Sequence, residues 1–302
     1  TATVGQQQVA AAPSGPPTPA GGWKTVLADG FNNQFPLSPL WGANANDNGG
    51  TGMTSIITSP APTEIEAYAA SQVSLHPDGL HLTAQYAPGA GGAGHDYLSG
   101  VVDSQQYVPG EPGQQGWRGI TGFRWLPTPG VVTVFEANMA APNVSGGGED
   151  PGFWLTNSAW DDEIDMPEMW NYGTKPWGLG VAWIYNTAAG QETETTAWGL
   201  PAQSDQQFHK WTIQFDGNAR TVRVWIDGTE HPELKLTWPA SFSTVPMYLV
   251  LSHALRNAYG DHPTWTSGST VYRFRSIAVY QDAAHAGHGV TGGGIAPGTT
   301  LK

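Results

Sequence analysis

The sequence predicts an all-β protein, a sandwich of antiparallel strands. Three observations lead there: several short runs alternate apolar and polar residues, Gly, Pro, Asn and Asp punctuate them, and no longer stretch carries a 3.6-residue period. In chain order, alternation places strands in 72–84 (QVSLHPDGLHLTA), 131–138, 209–215, 221–226 and 270–280. Pro77-Asp78-Gly79 divides the first of these as a turn, since Pro presets φ and Gly accepts a positive one. Asp216-Gly217-Asn218 and Asp227-Gly228 mark two further tight turns around the run TVRVWI. No repeat with a period of some 20 to 50 residues is visible, so these strands belong to one domain.

Composition narrows the partners. Asp and Glu number 25 against 12 Lys and Arg, a net charge of −13, where a nucleic-acid or anionic-membrane binder should be basic. The same shortage of cations disfavours polyanionic substrates such as sulfated glycans. There is no Cys, which excludes disulfides, thiolate metal sites and cysteine nucleophiles. Trp (14) outnumbers all lysines and arginines together, a surplus that suits stacking on a neutral amphipathic surface such as a sugar ring, or the filling of a β-sandwich core. The longest apolar stretches, such as 247–251, are strand-sized, far short of the roughly 20 residues of a membrane helix.

Residues 1–21 are Ala-, Pro-, Gly- and Gln-rich and read as a linker or arm. Residues 282–302 are Gly- and Ala-rich and read as a tail, whose His285 and His288 are expected to be solvated rather than metal ligands. The folded unit is expected over 22–281. The chain opens on Thr1 with no charged and apolar leader, as a mature secreted chain or an excised domain would.

The segment Trp160-Asp161-Asp162-Glu163-Ile164-Asp165-Met166-Pro167-Glu168-Met169-Trp170 holds five of the 25 acidic residues within eight positions. In an extended strand Glu163 and Asp165 share a face, but Glu168, five positions from Glu163, falls on the other. One extra residue, a β-bulge, restores the parity, and Pro167 stands where proline in a strand is tolerated. The three carboxylates then span about 13 Å of backbone on one face, so only a concave sheet brings the two glutamates near the roughly 5.5 Å of a retaining glycosidase. Mutual repulsion raises at least one of their pKa values and supplies a proton donor. A solvated acidic strand, or a calcium site from Asp161, Asp162 and Glu163, would use the same residues.

Glu-Ile-Asp-Met-Pro-Glu resembles the E-x-D-x-x-E signature of glycoside hydrolase family 16, the laminarinase-like endoglycanases. WKTVLADGFN from Trp23, DGLHLTA from Asp78, GFWL from Gly152, FHKW from Phe208, VWIDG from Val224 and IAVYQ from Ile277 resemble further family motifs, in the family's order. The resemblance implies a β-jelly-roll of two antiparallel sheets with a concave substrate cleft. It implies Glu163 as nucleophile, Glu168 as general acid and base, and Asp165 between them as a hydrogen-bonding tuner. Trp154, Trp160, Trp170 and Trp183 become candidates for sugar stacking, each of which could equally be core.

The expected activity is that of a secreted, monomeric endo-hydrolase of a neutral β-linked polysaccharide, a β-1,3-glucan first, needing no cofactor and no metal. Mixed-linkage β-glucan and β-galactan, cell-wall galactan included, are the alternative substrates, and a glycan-binding module or phage-tail adhesin is the alternative class. Departures from the family are Arg275 where a calcium-binding Asp is common, Val101 and Asn138 where arginines are common, and Met166-Pro167 inside the motif.

Overall fold

A computed structural model describes residues 13–31, 41–43, 57–58, 65–104, 122–142, 147–157, 162–170, 178–185, 191–200, 205–238, 245–257, 263–296 and 298–301. The strands of the first half are β1 (Trp23–Asp29), β2 (Gly42–Ala43), β3 (Ile57–Thr58), β4 (Glu66–Tyr68), β5 (Val73–His76), β6 (Gly79–Tyr86), β7 (Tyr97–Ser99), β8 (Val101–Asp103), β9 (Arg124–Trp125) and β10 (Val132–Ala140). Then follow β11 (Glu149–Thr156), β12 (Asp162–Trp170), β13 (Gly178–Tyr185), β14 (Gln191–Trp198), β15 (His209–Asp216) and β16 (Thr221–Ile226). The last are β17 (Thr229–Glu230), β18 (Leu236–Thr237), β19 (Tyr248–Leu255), β20 (Ser269–Asp282), β21 (Val290–Thr291) and β22 (Gly294–Ile295).

Every strand expected from alternation is present, and the turn signals sit where the ladders reverse. His76 pairs with Gly79 across Pro77-Asp78, and Ile226 pairs with Thr229 across Asp227-Gly228. Both residues of the latter turn have positive φ, 49° and 80°, which matches the right-handed twist of the flanking strands. In the wider loop between β15 and β16, Asp216 Oδ1 accepts the N–H groups of Asn218 and Ala219 at 2.8 and 3.0 Å.

Two sheets pack as a jelly-roll sandwich. The larger runs β17-β16-β15-β10-β20-β6-β7-β4-β3, with β1, β5, β18 and β22 joined to it, and the smaller runs β14-β13-β12-β11-β19-β8-β2. Pairing is antiparallel except between β1 and β22 and between β4 and β7, where short segments join in parallel. Between the sheets lie Phe135, Phe215 and Phe274 from the larger one and Phe153, Ile164 and Leu251 from the smaller, all fully buried. Phe135 sits among Trp125, Phe215 and Phe123 with ring centroids 5.1, 5.6 and 6.4 Å away.

β10 is buried on both faces, although its sequence alternates. Its outward residues Val134 and Glu136 are covered because both terminal segments lie against this sheet. Ser14 N–H donates to Glu136 Oε2 at 2.7 Å, Thr212 Oγ1 donates to the same oxygen at 3.1 Å, and Ile295 and Leu301 pack on Val134, Ala278 and Tyr280. Burial, together with the charge and hydrogen bond of Glu136, holds the Tyr280 phenol protonated far above its usual range. The segment read as a tail from composition thus contributes β21 on β9 and β22 on β1. Its His285 pairs through Nδ1 with Asp282 at 2.6 Å. Among the described residues no helix is long and apolar enough to cross a membrane.

The aromatic cluster predicts the cost of its loss. Phe135→Ala should destabilise the protein by about 3–5 kcal/mol, read as a lower denaturant midpoint at unchanged slope.

Candidate active site

In the smaller sheet β12 lies inside, between β11 and β13, and it contains the expected extra residue. On β11 the register changes from Trp154↔Asp165 to Gly152↔Glu168, and on β13 from Ile164↔Trp183 to Glu168↔Gly180. Three residues of β12, from Asp165 to Pro167, thus oppose two on β13, and the Met166–Pro167 peptide within the bulge is cis. Ile164 and Met166 face the core, and so does Met169, three positions on. Inversion of parity between Met166 and Met169 leaves Glu163, Asp165 and Glu168 together on the outer face.

The ladders build rows across that face. Glu163 lies in line with Thr156 and Tyr248, Asp165 with Trp154, Val250 and Asp103, and Glu168 with Gly152, Ser252 and Val101. Asp165 is the buried member at 4% exposure, while Glu163 and Glu168 are half-buried. Its Oδ2 has no hydrogen-bond partner among the described residues. Burial pushes the Asp165 carboxyl well above the usual range, the negative charges of Glu163 and Glu168 push it further, and the Arg256 cation acts the other way. Asp165 thus holds its proton more tightly than a free aspartate does, between two more accessible carboxylates.

The floor beside Asp165 is Trp154, half-buried against Tyr68, Val101, Tyr248 and Val250. Its indole N–H donates to Ser252 Oγ at 2.9 Å, a direction that carries the ring over Gly152. A Cβ at Gly152 would stand 2.8 Å from Trp154 Cδ1 and 3.3 Å from Ser252 Oγ. Glycine is thus required for close approach and not for a special φ. Beyond this row Arg256, at the end of β19, reaches back along the face. Its Nε meets Asp150 Oδ2 at 2.5 Å and its Nη2 donates to Glu168 Oε1 at 2.8 Å.

Of the four candidate tryptophans, Trp154 and Trp170 lie on the face of the carboxylates. Trp170 is 9% exposed and meets Trp198 edge-on, ring centroids 6.0 Å apart. The backbone of Trp183 pairs with Ile164, a core-facing position, rather than with a carboxylate, and Trp160 lies outside the described residues, as does Asp161. Sequence reasoning missed Arg256, Asp150 and Trp198. The last, 47% exposed on the edge strand β14, carries the one signal that could have found it, an aromatic closing an alternating polar run. The Asn138 departure does not bear on this face, because β10 belongs to the larger sheet. Val101 does belong to it, packed beside Trp154. Arg275 lies over the Phe208 ring at 3.8 Å. Among the described residues no group of three or more His, Asp or Glu is arranged to hold a metal ion.

The raised pKa of Asp165 sets a sign for stability against pH. An unfolded aspartate loses its proton near pH 4, whereas the folded Asp165 keeps it longer. The stabilisation from that proton is complete below about pH 4 and is lost as pH rises through the folded value. Asp165→Asn, which cannot ionise, should gain melting temperature relative to the wild type as pH rises from about 4 to about 8. A pH-independent difference would overturn the assignment.

No sequence family model and no curated protein match the chain. Solved structures do match. An endo-1,3-β-glucanase from Streptomyces sioyaensis superposes with a TM-score of 0.60 at 20% identity, over 89% of this chain and 99% of its own. An endo-β-1,3-glucanase from Pyrococcus furiosus gives 0.62 at 18% identity, covering 89% and 98%. A Bacteroides ovatus mixed-linkage glucan protein of glycoside hydrolase family 16, in complex with its G4G4G3G product, gives 0.59 at 18%, covering 83% and 98%. The chain has the jelly-roll fold of glycoside hydrolase family 16.

Proposed function

We propose that the chain is a retaining endo-hydrolase of a neutral β-linked polysaccharide, with β-1,3-glucan the first substrate. The observation that carries this reading is the bulge in β12, which gathers Glu163, Asp165 and Glu168 on one outer face with the middle carboxyl pushed well above its usual range. Glu163 attacks the anomeric carbon while Glu168 gives its proton to the departing glycosidic oxygen, forming a glycosyl-enzyme. Glu168 then takes a proton from the water that attacks the same carbon, and the sugar leaves with its original configuration. Asp165 donates a hydrogen bond to the nucleophile and keeps a third negative charge out of the site.

The electrostatics favour a neutral substrate. Glu163, Glu168 and Asp150 share this face, where the Arg256 guanidinium pairs with Glu168 and Asp150, and the chain carries −13 overall. The similar structures include endo-1,3-β-glucanases and a mixed-linkage glucan protein, which supports the choice of glucans. All three carboxylates come from one strand, so a monomer suffices, and a polymer too large to enter a cell places the work outside it. A carbohydrate-binding role alone leaves the carboxylate arrangement without a purpose.

Glu163→Gln and Glu168→Gln should each lower turnover of β-1,3-glucan by roughly 10³-fold or more while melting as the wild type does. Residual activity within tenfold of wild type, in either variant, would sink the roles. In an NMR time course on a reducing-end product, the anomer first formed should match the substrate linkage. Appearance of the opposite anomer first would require an inverting mechanism.

A further inference from the structure

Glu168 is held from one side. Arg256 Nη2 donates to its Oε1 at 2.8 Å while Nε of the same guanidinium meets Asp150 Oδ2 at 2.5 Å. Asp150 is 2% exposed in its side chain and Arg256 32%, so the anchor is buried and the bridge half-buried. The anchor is itself backed from the core. Asp150 pairs in register with Ala254, and the preceding residues, Glu149 and His253, both fully buried, hydrogen-bond through Glu149 Oε2 and His253 Nε2. His253 Nδ1 donates to the Leu82 carbonyl at 2.9 Å and Thr270 Oγ1 donates to Glu149 Oε1 at 2.7 Å. These hydrogen bonds tie β11 and β19 to each other and to β6 and β20 where Arg256 turns back.

We infer that Arg256, anchored by Asp150, is a positioning residue that dedicates one oxygen of Glu168 to proton transfer. The inference rests on the glycosidase reading above. A guanidinium has only donors and keeps its charge throughout the accessible pH range. With an N–H directed at Oε1, the proton of the acid form resides on Oε2, and the same Oε2 later receives the proton of the attacking water. The planar fork also fixes the carboxyl plane, so that Oε2 is presented to the glycosidic oxygen without a search over the side-chain torsions. A lysine, a point charge on a flexible stem, cannot span Asp150 and Glu168 in this way.

The test compares a substrate that needs protonation with one that does not. The wild type is assayed on β-1,3-glucan, mixed-linkage β-glucan and a neutral β-galactan, and on the 2,4-dinitrophenyl β-glycoside of the disaccharide matching the polymer it cuts best. Arg256→Met, which keeps the apolar stem, should lower kcat/KM on the polymer about 100-fold, the scale of a misplaced catalytic group. Its first-turnover release of dinitrophenolate should stay within about threefold of wild type, because that leaving group departs unprotonated. Steady-state turnover should then show a burst, and azide, which needs no general base, should restore it. Arg256→Lys should resemble Arg256→Met, and Asp150→Asn should fall between it and the wild type. Equal loss on both substrates without azide rescue, at unchanged melting temperature, overturns the inference, as does wild-type activity on both. A wild type inert on all three polymers overturns the glycosidase reading instead, and the role of Arg256 with it.

Discussion

Side chains of a β-strand alternate between two faces, and β12 breaks that alternation once. Had it not, Met169 and Glu168 would exchange places, with a carboxylate in the core and a thioether outside. Burial of an unpaired carboxylate would cost several kcal/mol, so the bulge is as much a requirement of folding as of chemistry. The neighbouring strands accommodate it by changing register on both sides, at Gly152 on β11 and at Gly180 on β13. Everything at the site follows from that single inserted residue: the common face of three acids, the burial of the middle one and the reach of Glu168 toward β19.

Accessibility divides the labour among acids of nearly identical chemistry. Asp165, short and lodged beside Trp154, is cut off from water and its carboxyl is pushed well above the usual range, while the longer glutamates stand half-exposed on either side. The Arg256 guanidinium lies against Glu168 and Asp150, so it distinguishes the two ends of the acidic row. The row therefore has a direction, because the guanidinium tethers its Glu168 end.

The site is unevenly legible in the sequence, for physical reasons. The bulge can be counted, because the spacing of Glu163 and Glu168 violates parity and Pro167 stands at the discrepancy. Strands such as β16 are legible since alternation and the Asp227-Gly228 turn agree. The partners of Glu168 are not, because Arg256 lies 88 positions away and only the antiparallel pairing of β11 with β19 brings it near. The covering of β10 is equally hidden. Ser14 contributes a backbone N–H to Glu136, a group every residue but proline carries, and Ala- and Gly-rich composition gives no sign of where such a segment will lie. A tryptophan's identity says that it will be largely covered but not by what, and so Trp170 reads like Trp154 until Trp198 is seen against it.

Gly152, Trp154 and Ser252 are bound into one unit. The indole can lie where it does only over a residue without a Cβ, and its N–H donates to the hydroxyl across the ladder. Single replacements at these positions therefore are not equivalent steps. A lineage that first lost the tryptophan would be free to fill the glycine afterward, whereas filling the glycine first would displace the ring beside Asp165 and Glu168. The contact thus ranks the two orders by cost, with the second passing through a clash that the first avoids.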